Sequence, residues 1–168
     1  VYASPFTAGL LAAKRSGHPG APEIPVTIVT PGQRIQIGPF DVEFIAVAHS
    51  ILEPMALAIR TPLGTVIHTG DWKLDPEPVI GPVTDAKRLS EIGDEGVLAL
   101  VCDSTNALRE GRSPSESEVA RELAKLVGEA EGRVFFTTFA SNIPRIRSIA
   151  LAAQAADRVA VRLPAGVA

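Results

Sequence analysis

Between residues 26 and 68 the sequence carries five short apolar runs separated by turn signals, and this punctuation constrains the fold more than any other feature. The runs cover residues 26–29, Arg34–Ile37, 42–47, 55–60 and 65–68. Arg34/Ile35/Gln36/Ile37 alternates polar with apolar, and Val42/Glu43/Phe44 does the same, as half-buried strands require. Gly38-Pro39 marks a turn, and Thr61-Pro62-Leu63-Gly64 is a hairpin signal between two strands. The first half of the chain therefore reads as strand-rich. Only residues 7–15, ahead of a Gly/Pro loop at 16–25, suggest a short helix there.

The second half alternates helix and strand signals. Residues 75–82 are too rich in proline for regular helix, and residues 85–92 suit a short one. Residues 96–101 form a continuous apolar run that reads as a buried strand ending in the polar loop Cys102-Asp103-Ser104. Ser115 and Glu118 have the spacing of a capping box, ahead of Val119, Leu123, Leu126 and Val127 on one helical face. A strand is predicted at 134–138, a helix at 143–156 and the start of another strand at 156–161. Such alternation implies an α/β fold with layered helices and sheet.

The 168 residues are 46% apolar and 21% charged, enough to build a core and unlike a disordered tail. No apolar run approaches the roughly 20 residues of a membrane span, so no membrane partner is expected. The opening residues lack the basic start and apolar stretch of a signal peptide, and they lack an initiator Met. The chain is expected to be an internal piece of a longer protein. A single cysteine, Cys102, excludes an internal disulfide and a Cys-rich zinc module and suits a reducing, cytoplasmic location. The net charge of −3 is the opposite of the usual nucleic-acid footprint. Residues 132–152 nevertheless hold Arg133, Arg145 and Arg147 with no acidic residue, so a local basic surface on an acidic chain is one reading and ordinary solvated arginines the other.

Two segments place metal-binding residue types at strand ends. His49 follows the run at 42–47, and Asp71 follows the run at 65–68 through His68-Thr69-Gly70, where Gly70 permits a sharp bend. Neutral imidazole and ionised carboxylate are ligands for zinc or manganese, and an aspartate can bridge two ions. Each signal alone is weak, since a lone histidine more often packs or faces solvent and a Gly-Asp pair more often makes a turn. Two ligands also fall short of a complete site.

The motifs taken together resemble the ribonuclease J family, the β-CASP group of metallo-β-lactamase-fold hydrolases. The resemblance rests on VYASPFTAGL from Val1, AHS at Ala48, ALAIRTPLGT from Ala56, HTGDWKLDP from His68, CDSTNA from Cys102 and FFTTFASNIPRIRSI from Phe135, in the family's order. It implies a partial metallo-β-lactamase αββα sandwich over residues 1–108, followed by the start of a β-CASP α/β domain over 109–168. It also implies a metal-dependent ribonuclease, both endonuclease and 5′-to-3′ exonuclease, leaving a 5′-phosphate and a 3′-hydroxyl. A complete site would hold two Zn2+, with Mn2+ or Mg2+ as alternatives. RNA would be the partner, and the longer parent is compatible with a homo-oligomer. By resemblance His49 and Asp71 are metal ligands, with Asp71 bridging. Asp103 is the first acidic residue of the β-CASP part, and Ser141 and Asn142 belong to a 5′-phosphate pocket.

Local readings stay open beside these roles. Asp103 also suits capping of the turn at Ser104-Thr105-Asn106, and Ser141 or Asn142 suits capping of the helix that follows. His68 is expected to be a buried, hydrogen-bonded residue near the site rather than a ligand, and His18 sits in a loop without a catalytic role. The family's His-x-His-x-Asp-His motif does not occur in the chain and is expected before Val1, with later histidines beyond Ala168. The last residues, 162–168, depart from the family pattern. Two other readings compete: a hydrolase of this fold acting on a small ester or thioester, and a non-catalytic fragment. The family-like stretch from Ser113 onward argues against the first.

Overall fold

A computed structural model describes residues 1–161, so the departing stretch 162–168 lies outside the described residues. The elements run β1 (Tyr2–Ala3), α1 (Pro5–Ser16), β2 (Thr27–Ile28), β3 (Arg34–Ile37), β4 (Phe40–Ala46), β5 (Met55–Thr61), β6 (Gly64–His68), α2 (Ala86–Glu95), β7 (Ala99–Val101), α3 (Glu116–Glu129) and α4 (Ile143–Ala155). A five-stranded mixed sheet has the order β3-β4-β5-β6-β7, and β1 pairs with β2 in a separate parallel ladder. The first four strands of the large sheet are antiparallel neighbours, as their turn signals require, while β7 joins β6 in parallel after α2 crosses over. The expected hairpin forms between β5 and β6, with Thr61 opposite Gly64 across Pro62-Leu63.

The pleat sorts the sheet into two faces. On one, Ile45, Val47, Ala56, Ala58 and Ile67 bury against Ile92 of α2, joined by Leu89, Trp72 and Val97. A fully buried Ile or Val contributes roughly 1.5–3 kcal/mol by leaving water, so this cluster fixes α2 on the sheet. Glu43 shares the face and is buried, meeting Arg60 at 2.7 Å and Arg88 of α2 at 2.6 Å. The other face presents Val42 and Phe44 with half-buried Met55, Leu57 and Ile59 over Val29. It borders an open concavity of about 580 Å3 reaching Tyr2 and Phe40.

α3 and α4 pack on each other, and Val127, Ala152 and Ala153 are buried. α3 begins with the expected capping box, Ser115 Oγ accepting from the Glu118 amide and the Glu118 carboxylate accepting from the Ser115 amide. Leu126, read on one helical face with Val127, is 58% exposed.

Three expectations require correction. Residues 134–138 form no strand: the segment has no regular structure, and Phe135 is 81% exposed. Apolar β-formers become a strand only beside a partner, and none lies along them among the described residues. Residues 156–161 likewise form a turn and irregular chain, with Asp157 at a φ of 51°. β7 does form, but at the edge of the sheet with all three residues exposed, because nothing among the described residues covers it.

Candidate functional site

Strand direction assembles the site. β4 and β6 both run antiparallel to β5, and β7 runs parallel to β6, so β4, β6 and β7 share one direction. The chain leaving their C-terminal ends carries His49, Asp71 and Asp103 respectively, which places all three at the same end of the sheet. β4 and β6 lie two strand spacings apart, roughly 10 Å, too far for direct backbone pairing. Beyond the start of β5, however, Lys73 crosses to Ala48 and forms an isolated antiparallel bridge, its amide donating to the Ala48 carbonyl at 2.9 Å. That bridge draws the segment after Asp71 onto the residue just before His49. Thr84 locks it from below, its hydroxyl donating to the Lys73 carbonyl at 2.7 Å and accepting from the Ala48 amide at 2.8 Å.

Asp71 is exposed on a bend entered through Gly70, whose φ of 59° suits glycine. Thr69 ties this bend to the neighbouring loop, its amide donating to the Val101 carbonyl at 3.0 Å and its hydroxyl accepting from the Asp103 amide at 3.2 Å. The Asp103 carboxylate accepts from the Thr105 hydroxyl at 2.6 Å and the Thr105 amide at 2.9 Å. Those bonds, the hydroxyl first, hold its pKa below the usual carboxylate range, and the nearby His49 ring acts in the same direction. The turn-capping reading of Asp103 is thus realised. His49 itself is half-buried, with Nδ1 3.3 Å from Ser50 Oγ.

His68 is exposed, not buried as expected, because it ends β6 beside the exposed edge strand β7. Its Nδ1 accepts from the Gly70 amide at 3.0 Å, so it shapes the bend at Asp71. His18 lies in its loop with Nδ1 2.8 Å from the Lys14 carbonyl, far along the chain from the strand-end cluster.

Ser141 and Asn142 stand before α4. Asn142 is buried and is the N-cap, its Oδ1 accepting from the Arg145 amide at 3.0 Å, while Ser141 is exposed. Of the three arginines nearby, Arg145 is paired with Glu116 at 3.1 Å and Arg147 donates to the Val79 carbonyl at 3.3 Å. Internal contacts therefore engage two of the three arginines that a local basic surface would need.

Sequence reasoning passed over Asp75. Its side chain is fully buried, with Oδ2 accepting from the Glu116 amide at 2.9 Å and Oδ1 from the Glu77 amide at 3.0 Å. Lys73 Nζ lies 3.1 Å from it. Burial alone would raise its pKa, but the two amides and the Lys73 ammonium hold it below the usual range. An Asp before Pro reads locally as a turn residue, so no short-range signal marks its partner 41 residues on.

The fold and these strand ends define a mixed α/β protein with an imidazole and carboxylates carried at the C-terminal ends of like-directed strands. A solved structure of a protein of unknown function from Enterococcus faecalis superposes with a TM-score of 0.65 at 19% identity, covering 92% of this chain and 42% of that one, a likeness of fold alone. No family model matches the chain. Among curated proteins, ribonuclease J of Sinorhizobium meliloti is 65% identical over 158 residues, covering 94% of this chain. Ribonuclease J of Thermus thermophilus is 45% identical over 158 residues and 92% of the chain, and that of Corynebacterium glutamicum 47% over 158 residues and 94%. Over those 158 residues the chain is similar to proteins of the ribonuclease J family. It covers 28%, 27% and 22% of the length of those three relatives.

Proposed function

We propose that this chain contributes part of the catalytic centre of a metal-dependent ribonuclease that hydrolyses RNA phosphodiesters, with zinc as the metal and with endonucleolytic and 5′-to-3′ exonucleolytic action. Residues 1–108 are the partial metallo-β-lactamase domain in this reading, and residues 109–168 begin the β-CASP domain. The observation that carries it is the placement of His49, Asp71 and Asp103 after the C-terminal ends of strands running in one direction, in a chain 65% identical to a ribonuclease J.

The donor set suits a metal in kind, since nitrogen and carboxylate oxygen are what zinc and manganese take. In number it is incomplete: among the described residues no three His, Cys, Asp or Glu side chains gather around one point. His49 and Asp71 are the residues that would hold metal. When bound, a metal pair supplies an activated water and neutralises charge developing on the phosphate. The chain's own residues position those groups. The Ala48–Lys73 bridge holds His49 and Asp71 in fixed relation, and Asp103, kept ionised by Thr105, orients a neighbouring donor. Ser141 and the amides opening α4 face the RNA 5′-phosphate, a use that helix N-termini suit. No helix among the described residues is long and apolar enough to cross a membrane.

The test is a chimera in which this chain replaces the matched stretch of the Sinorhizobium meliloti relative. It should degrade RNA, and Asp71→Ala should lower the rate by orders of magnitude, roughly the 10²-fold or more that misplaced catalytic groups cost. A chimera that folds and retains full activity with Asp71→Ala would overturn the assignment.

A further inference from the structure

The strand-end cluster and the turn before α4 lie in different parts of the fold, yet one line of contacts joins them. Lys73 carries the bridge to Ala48, next to His49. Its ammonium lies 3.1 Å from Asp75 Oδ2 and donates to the Pro114 carbonyl at 3.2 Å. The same Asp75 oxygen accepts from the amide of Glu116, the first residue of α3. Glu116 in turn holds Arg145 of α4 through Nε at 3.3 Å and Nη2 at 3.1 Å, and the Arg145 amide donates to Asn142. Ser117 Oγ, donating to the Glu77 carbonyl at 2.8 Å, and Arg147, donating to the Val79 carbonyl, fasten the same loop to the same two helices.

We propose that Asp75 is a positioning residue that sets the register of the turn at Ser141 and Asn142 against His49 and Asp71. This rests on the functional reading above for its consequence, though not for its geometry. The physical case has two parts. The capping box of α3 leaves the Glu116 amide unmet, so a carboxylate from the distant loop completes the helix N-terminus, where the helix dipole favours negative charge. The site is also over-determined: both Asp75 oxygens are used, and its counter-ion Lys73 is itself backbone-paired beside His49. A buried carboxylate so held tolerates little movement, and loss of it leaves the Glu116 amide without its acceptor and Lys73 with only the Pro114 carbonyl and the Glu116 carboxylate.

Two measurements test this. In the 168-residue chain, hydrogen exchange is compared for the unsubstituted protein, Asp75→Asn and Asp75→Ala. The expected result is faster exchange at the Glu116 and Arg145 amides with unchanged protection at Phe44, Leu57 and Ile67, larger for Ala than for Asn, which keeps one acceptor oxygen. Unchanged exchange at Arg145, or protection lost evenly across the sheet in both variants, would overturn the proposal. In the chimera, Asp75→Ala should lower degradation of 5′-monophosphorylated linear RNA by about tenfold or more, the scale of a misplaced group, and change cleavage of a circular RNA little, with partial recovery in Asp75→Asn. Equal loss on both substrates would reduce Asp75 to a general stabilising residue. The unsubstituted chimera reports on the ribonuclease reading by itself, so a failure there is distinct from a failure here.

Discussion

At the scale of single residues, the bend at Gly70 shows how short contacts aim a functional group. Gly70 sits at a φ of 59°, its amide donates to His68 Nδ1, its carbonyl accepts from the Thr69 hydroxyl, and Asp71 follows. A Cβ at Gly70 has room, since the nearest atom is the Met55 carbonyl oxygen at 3.8 Å, so the cost of Gly70→Ala is backbone strain alone. About 1 kcal/mol of lost stability is expected in thermal melts. An unchanged melting temperature would mean that the bend relaxes. His68→Ala removes one exposed acceptor and should cost about 1 kcal/mol or less while sparing metal binding. If it abolished metal binding and His49→Ala did not, His68 would be the ligand.

Element ends separate two residues that the sequence leaves equivalent. Asn142 is the cap of α4 and Ser141 is not, because the Asn142 side-chain Oδ1 reaches the Arg145 amide. Asn142→Ala should therefore lower stability by about 1 kcal/mol, whereas Ser141→Ala should leave the melting temperature of the chain unaltered. In the chimera, Ser141→Ala should weaken 5′-end-dependent degradation more than internal cleavage. A fall in melting temperature for Ser141→Ala, matched by equal loss of both activities, would make it a structural residue only. The capping box at Ser115 was legible in advance because its partners lie three residues apart, within reach of local pattern.

Across the whole molecule, two buried carboxylates tie elements distant in sequence. The Glu43 pKa is lowered chiefly by its hydrogen bonds from Arg88, with Arg60 adding to them; the Asp75 pKa is lowered by amides and Lys73 against the cost of burial. A carboxylate whose folded pKa lies below its unfolded one stabilises the fold fully above the unfolded value and loses that contribution as pH falls through the folded one. Stability should thus be level from neutral pH down to about 5 and fall below about 4, where unfolded carboxylates take up protons. Denaturant melts across that range check it, and stability that rises on acidification would contradict it. Calorimetry should find zinc binding weak and without fixed stoichiometry in this chain, since the described residues offer no three-ligand group. Tight binding of two ions would reveal donors overlooked here. The exposed edge at β7, Phe135 and the open apolar face under Val42 and Phe44 should also promote self-association, seen as concentration-dependent sedimentation.

Local order determined most elements: period-two alternation placed β3 and β4, the Thr61–Gly64 spacing placed the β5–β6 hairpin, and cap chemistry started α3. Motif order likewise pointed to the ribonuclease J family before any fold was known. What only tertiary structure decided depends on partners far along the chain. Residues 134–138 have the composition of a strand yet remain unpaired among the described residues, and β7 is exposed although its sequence reads as buried. Glu43 is buried in a strand position that alternation would assign to solvent, because Arg60 and Arg88 arrive from other elements to neutralise it. Asp75 meets an amide 41 residues away. Propensity and capping act over a few residues, whereas pairing, burial and charge compensation are settled by whichever groups the fold brings alongside.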